Sequence, residues 1–263
     1  MDLHDYEDVA MNYDHYLSVM YSGNANPEDF KAFYLGLANE YGKEGIIDIA
    51  CGTGAVLLHL AENGHDISGF DLSEAMANVA KKKAEKLGLK LQIYSADMTN
   101  FRFDRKFSLA IIARSGFMHL TTPELQRKAL MCIREHLLPE GILTLNTFVP
   151  NVSLQFEQMN TTVDDYTLRL EYTNYQGKCE RLYNAITYDP LTQLMSGNWK
   201  FETLDDNGTI IDTRIRPLKM RQTTKMEMEY LIELCGYEII NVYGDYNRTP
   251  ASDKNLIWVL RLK

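Results

Sequence analysis

The stretch Asp48-Ile49-Ala50-Cys51-Gly52-Thr53-Gly54 decides how the rest of the chain is read. Ile46-Ile47-Asp48-Ile49-Ala50 reads as a short buried strand, and after the glycines Ala55 to Glu62 reads as a helix that stops at Asn63-Gly64. A glycine-rich turn between a strand and a helix lets the main chain approach a ligand closely. It also leaves the free N–H groups of the helix start facing that ligand. Alone the turn is a weak signal, since tight strand-to-helix turns occur in many folds.

Working outward, the same alternation continues. Pro27 to Tyr41 places Phe30, Phe33, Tyr34, Leu37 and Tyr41 on one helical face, and Gly42 and Gly45 end the pattern. Asp66 to Phe70 forms a second strand with Asp71 at its end. The helix after it has Ser73 as N-cap, Glu74 in its first turn, Lys81 to Lys83 late, and Gly88 beyond its end. Lys90 to Ser95 and Phe107 to Ala113 are further strands, Thr122-Pro123-Glu124 opens a helix, and Gly141 to Phe148 is another strand. Strands alternating with crossover helices specify an α/β fold: a doubly wound, mostly parallel sheet. The lysine run is read as a solvated helix face in preference to a nucleic-acid patch.

Beyond Pro150 the period changes from helical to two. Tyr166 to Tyr172, Arg181 to Tyr188 and Leu194 to Thr203 alternate, with Asp189-Pro190 and Asp206-Asn207-Gly208 as turns. Residues 160–220 therefore read as an antiparallel β insertion. Thr224-Lys225-Met226-Glu227 is a capping-box signature, and two final strands lie near Tyr237 to Tyr243 and Asn255 to Leu262. The expected organisation is an N-terminal helical cover at 1–44, a core at 45–159 and 221–263, and the insertion between.

Bulk properties narrow the class. The 263 residues can bury a full core, and 45% apolar with 24% charged residues is ordinary for a globular protein. A net charge of -9 disfavours a phosphate backbone as partner. Cys51, Cys132, Cys179 and Cys235 form no Cys-x-x-Cys pair, so reduced thiols in a cytoplasmic protein are expected, with no metal. The acidic start Met1 to Asp8 does not read as a signal peptide. No run reaches the ~20 apolar residues of a membrane helix, so no membrane partner is expected.

Chemistry enters with the acidic residues. Asp71 at the end of the second strand can accept hydrogen bonds from a ribose diol. Asp97 after the third strand can accept from an exocyclic adenine amine, with Met98 offering an apolar side to the ring. Each aspartate alone could be a cap. Three carboxylates at strand ends in one half of a sheet are much harder to explain that way.

Asp48 to Gly54, then Phe70-Asp71-Leu72-Ser73-Glu74-Ala75-Met76, then Ala96-Asp97-Met98, resemble three successive motifs of class I S-adenosylmethionine-dependent methyltransferases. The resemblance spans about residues 40 to 150 and implies a Rossmann-like methyltransferase sheet. It implies S-adenosyl-L-methionine as cofactor and S-adenosyl-L-homocysteine as product. Ala50, Cys51, Gly52 and Gly54 would pack on the methionine part, with Asp48 organising the loop and the amino group. Asp71 would hold the ribose, Leu72 and Met76 would flank adenine, and Asp97 with Met98 would read its edge. Ala50 departs from the family's first glycine. The competing NAD(P) fingerprint needs a third glycine where Leu57 stands.

On the substrate side, Ala113-Arg114-Ser115-Gly116-Phe117-Met118-His119-Leu120 follows the fourth strand and should line the site. His119 is the candidate base, or else a histidine that orients the next helix. Arg114 could pair with an anionic group there or with a helix carboxylate. The Ser-x-x-x-His-Leu arrangement is similar to that of amino-sugar N,N-dimethyltransferases. The N-terminal tyrosines, Tyr13 and Tyr21 among them, resemble the aromatic cover of glycine and amino-sugar N-methyltransferases, or else pack on the core. The insertion resembles the antiparallel sheet that covers the active site in that same group, and its Arg169, Arg181, Tyr183, Trp199, Arg214 and Arg216 are candidates to face the site, or else solvated sheet residues. The expected reaction is methyl transfer to N or O of a small metabolite by a monomer or homodimer. Methylation of RNA or protein, and cofactor binding without turnover, are the alternatives.

Overall fold

The computed structural model describes residues 10, 13–14, 26–174, 176–251 and 254–263. Seven strands form the central sheet in the order β10-β11-β5-β4-β1-β2-β3. They are β1 (Ile46–Ile49), β2 (Ile67–Asp71), β3 (Gln92–Ser95), β4 (Phe107–Ile112), β5 (Leu137–Phe148), β10 (Tyr237–Tyr243) and β11 (Asn255–Leu262). β1 to β5 run parallel, while β11 is antiparallel to both β5 and β10. The order reverses between β1 and β4, which opens a crevice beyond their carboxyl ends.

Period-two alternation splits the core into two layers, because both faces of a parallel sheet are buried. Ile47, Ile49, Ala110, Ile112, Leu143, Leu145, Trp258 and Leu260 face helices α4 (Pro123–His136) and α6 (Lys225–Leu234). Ile46, Leu109, Ile111, Ile142, Ile257 and Val259 face α1 (Pro27–Tyr41), α2 (Ala55–Glu62) and α3 (Glu74–Lys86). Side-chain caps fix four of these five helix starts: Asn26 on Glu28, Ser73 on Met76, Thr122 on Leu125 and Thr224 on Glu227. Each such cap contributes about 1 kcal/mol.

The second sheet is antiparallel, in the order β6 (Thr167–Thr173), β7 (Cys179–Asp189), β8 (Leu194–Leu204), β9 (Ile210–Arg221). One face carries a buried polar knot: Glu180 accepts from Tyr172, Asn174, Thr203 and Arg214. Two elements are additions to the sequence reading. Helix α5 (Val152–Met159), capped by Asn151, lies where only a change of texture is visible in the sequence. β9 is a full fourth strand, paired to β8 from Leu194 with Arg221 to Leu204 with Ile210. β9 also packs against the short 3-10 turn Gly116–His119, which brings the second sheet to the crevice.

Candidate active site

A cavity of about 310 Å³ lies at the β1/β4 reversal. Its glycine loop is shaped by three left-handed residues: Ala50 (φ 56°), Gly52 (φ 56°) and Gly54 (φ 89°). Ala50, Cys51, Gly52 and Thr53 line the cavity. Gly54, also expected at the cofactor, is not among the lining residues. Gly54 instead begins α2, and a Cβ there would meet Leu58 and Ala80 at 3.1–3.3 Å, so its role is helix packing.

The three aspartates converge on this cavity but are built differently. Asp71 ends β2, and its two oxygens accept from the Gly52 N–H at 2.8 Å and the Ser73 N–H at 2.9 Å. It thereby locks the glycine loop to the next strand, and each oxygen keeps a further lone pair. Burial raises its carboxyl pKa, opposed by those main-chain donors. Asp97 lies two residues beyond β3, and Oδ1 accepts from the Thr99 N–H at 2.8 Å. Asp48 is inside β1 and fully buried, with Oδ2 accepting from the Leu57 N–H at 3.1 Å. Its Oδ1 has no hydrogen-bond partner. Burial pushes this carboxyl up to about 8, the Leu57 N–H opposes the shift, and Asp71 adds to it.

Leu72, Met76, Met98, Ala113, Arg114 and His119 also line the cavity. Arg114 lies two residues past β4 with φ 50°, its guanidinium 4.8 Å from the Phe30 ring centre. His119 ends the 3-10 turn. Burial drives its imidazole down to about 4, helped by the positive Arg216 of β9 and opposed by a hydrogen bond to the Lys219 main chain. Tyr13 lines the cavity and packs against the second-sheet cluster of Tyr172, Leu182 and Phe201. Tyr21 lies outside the described residues.

Among the insertion side chains singled out from sequence, Arg181 pairs with Glu171 on the surface and Arg214 with buried Glu180. Arg169 donates to Asn184. Arg216 acts on the His119 imidazole through its charge, and Trp199 joins Tyr13 in packing against the Tyr172, Leu182 and Phe201 cluster. Lys83 departs from the solvated-face reading of its run: it pairs with Asp14 and donates to the Thr53 carbonyl at 3.2 Å. Asp14 also accepts from the Thr53 hydroxyl at 2.5 Å, so the segment carrying Tyr13 is tied to the glycine loop. Phe30, Phe70 and Leu125 are lining residues that the sequence reading did not assign to the site. The helical periodicity of Pro27 to Tyr41 marks Phe30 as buried and no more than that. Among the described residues no group of His, Cys, Asp and Glu is placed to hold a metal ion, and no helix is long and apolar enough to cross a membrane.

These donors and acceptors fit a nucleoside carrying an amino acid. A ribose diol can donate to the open lone pairs of Asp71, an adenine amine to Asp97, and an ammonium to the orphaned Asp48 Oδ1. Residues 46–141 match the methyltransferase domain family. The CcbJ methyltransferase of Streptomyces caelestis has the same fold at TM-score 0.78 and 22% identity, covering 100% of this chain and 99% of that one. A methyltransferase from Clostridium acetobutylicum described as S-adenosylmethionine-dependent gives TM-score 0.77 at 16% identity, covering 95% and 97%. Residues 46–141 therefore match a methyltransferase domain, and the chain shares the Rossmann-like fold of these two structures.

Among curated relatives, dTDP-3-amino-3,4,6-trideoxy-alpha-D-glucopyranose N,N-dimethyltransferase of Streptomyces venezuelae is 31% identical over 132 residues, covering 44% of this chain and 54% of that protein. The alignment thus spans little more than half of that relative's length. The putative methyltransferase YqeM of Bacillus subtilis is 25% identical over 213 residues, covering 80% of each chain.

Proposed function

We propose that the chain transfers a methyl group from S-adenosyl-L-methionine to an amine nitrogen of a small molecule, releasing S-adenosyl-L-homocysteine without a metal. The observation that carries this reading is the convergence of Asp48, Asp71 and Asp97 with the left-handed loop on one cavity at the sheet's reversal. Asp71 would hold the ribose, Asp97 and Met98 the adenine between Leu72 and Met76, and Asp48 the amino group. When bound, the cofactor supplies an electrophilic methyl on a sulfonium, open to in-line displacement.

The protein's own task is then alignment of the nucleophile, which can contribute roughly 7–11 kcal/mol. His119 is neutral at working pH and can accept a hydrogen bond from the amine, directing its lone pair. With its pKa near 4 it does not retain the proton, which passes to water. A small acceptor suits a chain of net charge -9 better than a nucleic acid does. The second sheet and the segment carrying Tyr13 would act as the cover over this acceptor. The amine preference draws on the amino-sugar N,N-dimethyltransferases from Streptomyces venezuelae and Streptomyces fradiae and on the glycine/sarcosine N-methyltransferase among the relatives. Four free cysteines suit a reducing compartment such as the cytoplasm.

The test is a turnover screen that reads S-adenosylhomocysteine formation over amino-sugar nucleotides and amino acids, each beside its hydroxyl-for-amine analogue. Turnover with an amine and none with its analogue supports the proposal. Turnover confined to hydroxyl acceptors contradicts it.

A further inference from the structure

The turn that carries the acceptor side is held from an unexpected direction. Arg114 and Ser115 are consecutive non-glycine residues at φ 50° and 60°, a left-handed pair that L side chains rarely adopt. Such a conformation persists only where neighbouring structure enforces it. The enforcing group is Asn146 at the end of β5, next to β4. Its Oδ1 accepts from the Ser115 N–H at 3.0 Å, and its Nδ2 donates to Ser115 Oγ at 3.1 Å. Reversing this amide would set donor against donor at the Ser115 N–H, so the network fixes its orientation.

Everything downstream hangs on Ser115. Its carbonyl accepts from the Met118 N–H at 2.9 Å, which starts the 3-10 turn that ends at His119. Gly116 is tight against the glycine loop, where a Cβ would meet that of Ala50 at 3.2 Å. Asn146 itself is 6% exposed and does not line the cavity.

We propose that Asn146 is a positioning residue: clamped on Ser115 from the neighbouring strand, it holds the left-handed Arg114–Ser115 turn and so fixes where His119 and Arg114 stand in the cavity. The inference rests on the methyl-transfer reading for its purpose, but the clamp is measurable without it. Arg216 and the Lys219 main chain, both on β9, are the polar groups that act on the His119 imidazole's titration. A turn released from Asn146 moves the ring away from both and toward solvent.

The experiment follows the His119 ring by imidazole NMR across pH 3 to 8, on the protein without cofactor. Wild type should titrate at about 4. In Asn146→Leu the midpoint moves up toward the ordinary imidazole value of about 6.5. Adding Ser115→Gly to Asn146→Leu returns it toward wild type, because glycine adopts positive φ without a clamp. A purely packing role for Asn146 would show no such rescue.

Ser115→Ala keeps the N–H bond, loses the Oγ bond, and gives an intermediate midpoint; it carries the test alone if Asn146→Leu does not fold. An unchanged midpoint in Asn146→Leu, an absent rescue, or, where Ser115→Ala stands alone, an unchanged midpoint there overturns the proposal. Failure of the wild type to bind S-adenosylhomocysteine would remove the methyl-transfer reading and leave this titration untouched.

Discussion

Ala50 stands where the loop needs φ 56°, a conformation that costs an alanine roughly 1–2 kcal/mol relative to its right-handed forms. Part of that is offset by glycine's larger unfolded-state entropy, so Ala50→Gly should raise stability by up to about 1 kcal/mol in denaturant unfolding. Asp48 gives a pH signature. Its carboxyl, pushed up to about 8, holds its proton at pH 7 in the empty site, and an ammonium beside Oδ1 favours the ionised form. Affinity for S-adenosylhomocysteine should therefore climb from pH 6 to pH 8, by at most about tenfold per pH unit, and Asp48→Asn should flatten that climb in calorimetry. For folding, the raised value means that Asp48 is least costly below its ordinary 3.8 and increasingly costly as pH rises toward 8. His119 predicts a different profile. Since its imidazole lies near 4, kcat/KM measured on an accepted amine should show no imidazole limb near pH 6.5. That Asp71 and Asp97 line one cavity was legible from their strand-end positions taken together with the motif resemblance. The αL strain at Ala50, Arg114 and Ser115 was not, because φ is set by tertiary contacts such as those of Asn146.

At the scale of elements, buried Arg221 joins three parts of the molecule. From the end of β9 it donates to Gln126 of α4 at 3.0 Å, to Gln193 of the β7–β8 connection at 2.6 Å and to Glu227 of α6 at 2.6 Å. Truncating one partner of such a network strands the others in low dielectric, so Arg221→Met should cost about 3–5 kcal/mol in denaturant unfolding. Loss of less than about 1 kcal/mol would mean that the sheet is anchored elsewhere. The parallel strands were visible because continuous apolar runs alternate with capped helices. α5 was not, since Val152, Phe156 and Met159 are 77%, 65% and 44% exposed and leave no buried stripe to read. β9 was obscured by alternation that mixes Arg214 and Arg216 with Leu218 on its inner face, so buried positions do not look apolar.

For the molecule as a whole, the decisive fact is topological: the sheet reverses between β1 and β4, and chain segments 23 and 26 residues apart, at Asp48, Asp71 and Asp97, end at that one crevice. The acceptor side was less legible, because the second sheet meets His119 through Arg216 and Lys219 of β9, contacts that no local motif announces. Calorimetric titration with S-adenosylhomocysteine tests the central claim most directly. Wild type should bind, and Asp71→Ala, which removes both the open carboxylate and the Gly52 anchor, should weaken binding at least about thirtyfold, the loss of one charge-assisted hydrogen bond or more. No binding by the folded wild type, or equal binding by Asp71→Ala, would contradict the account.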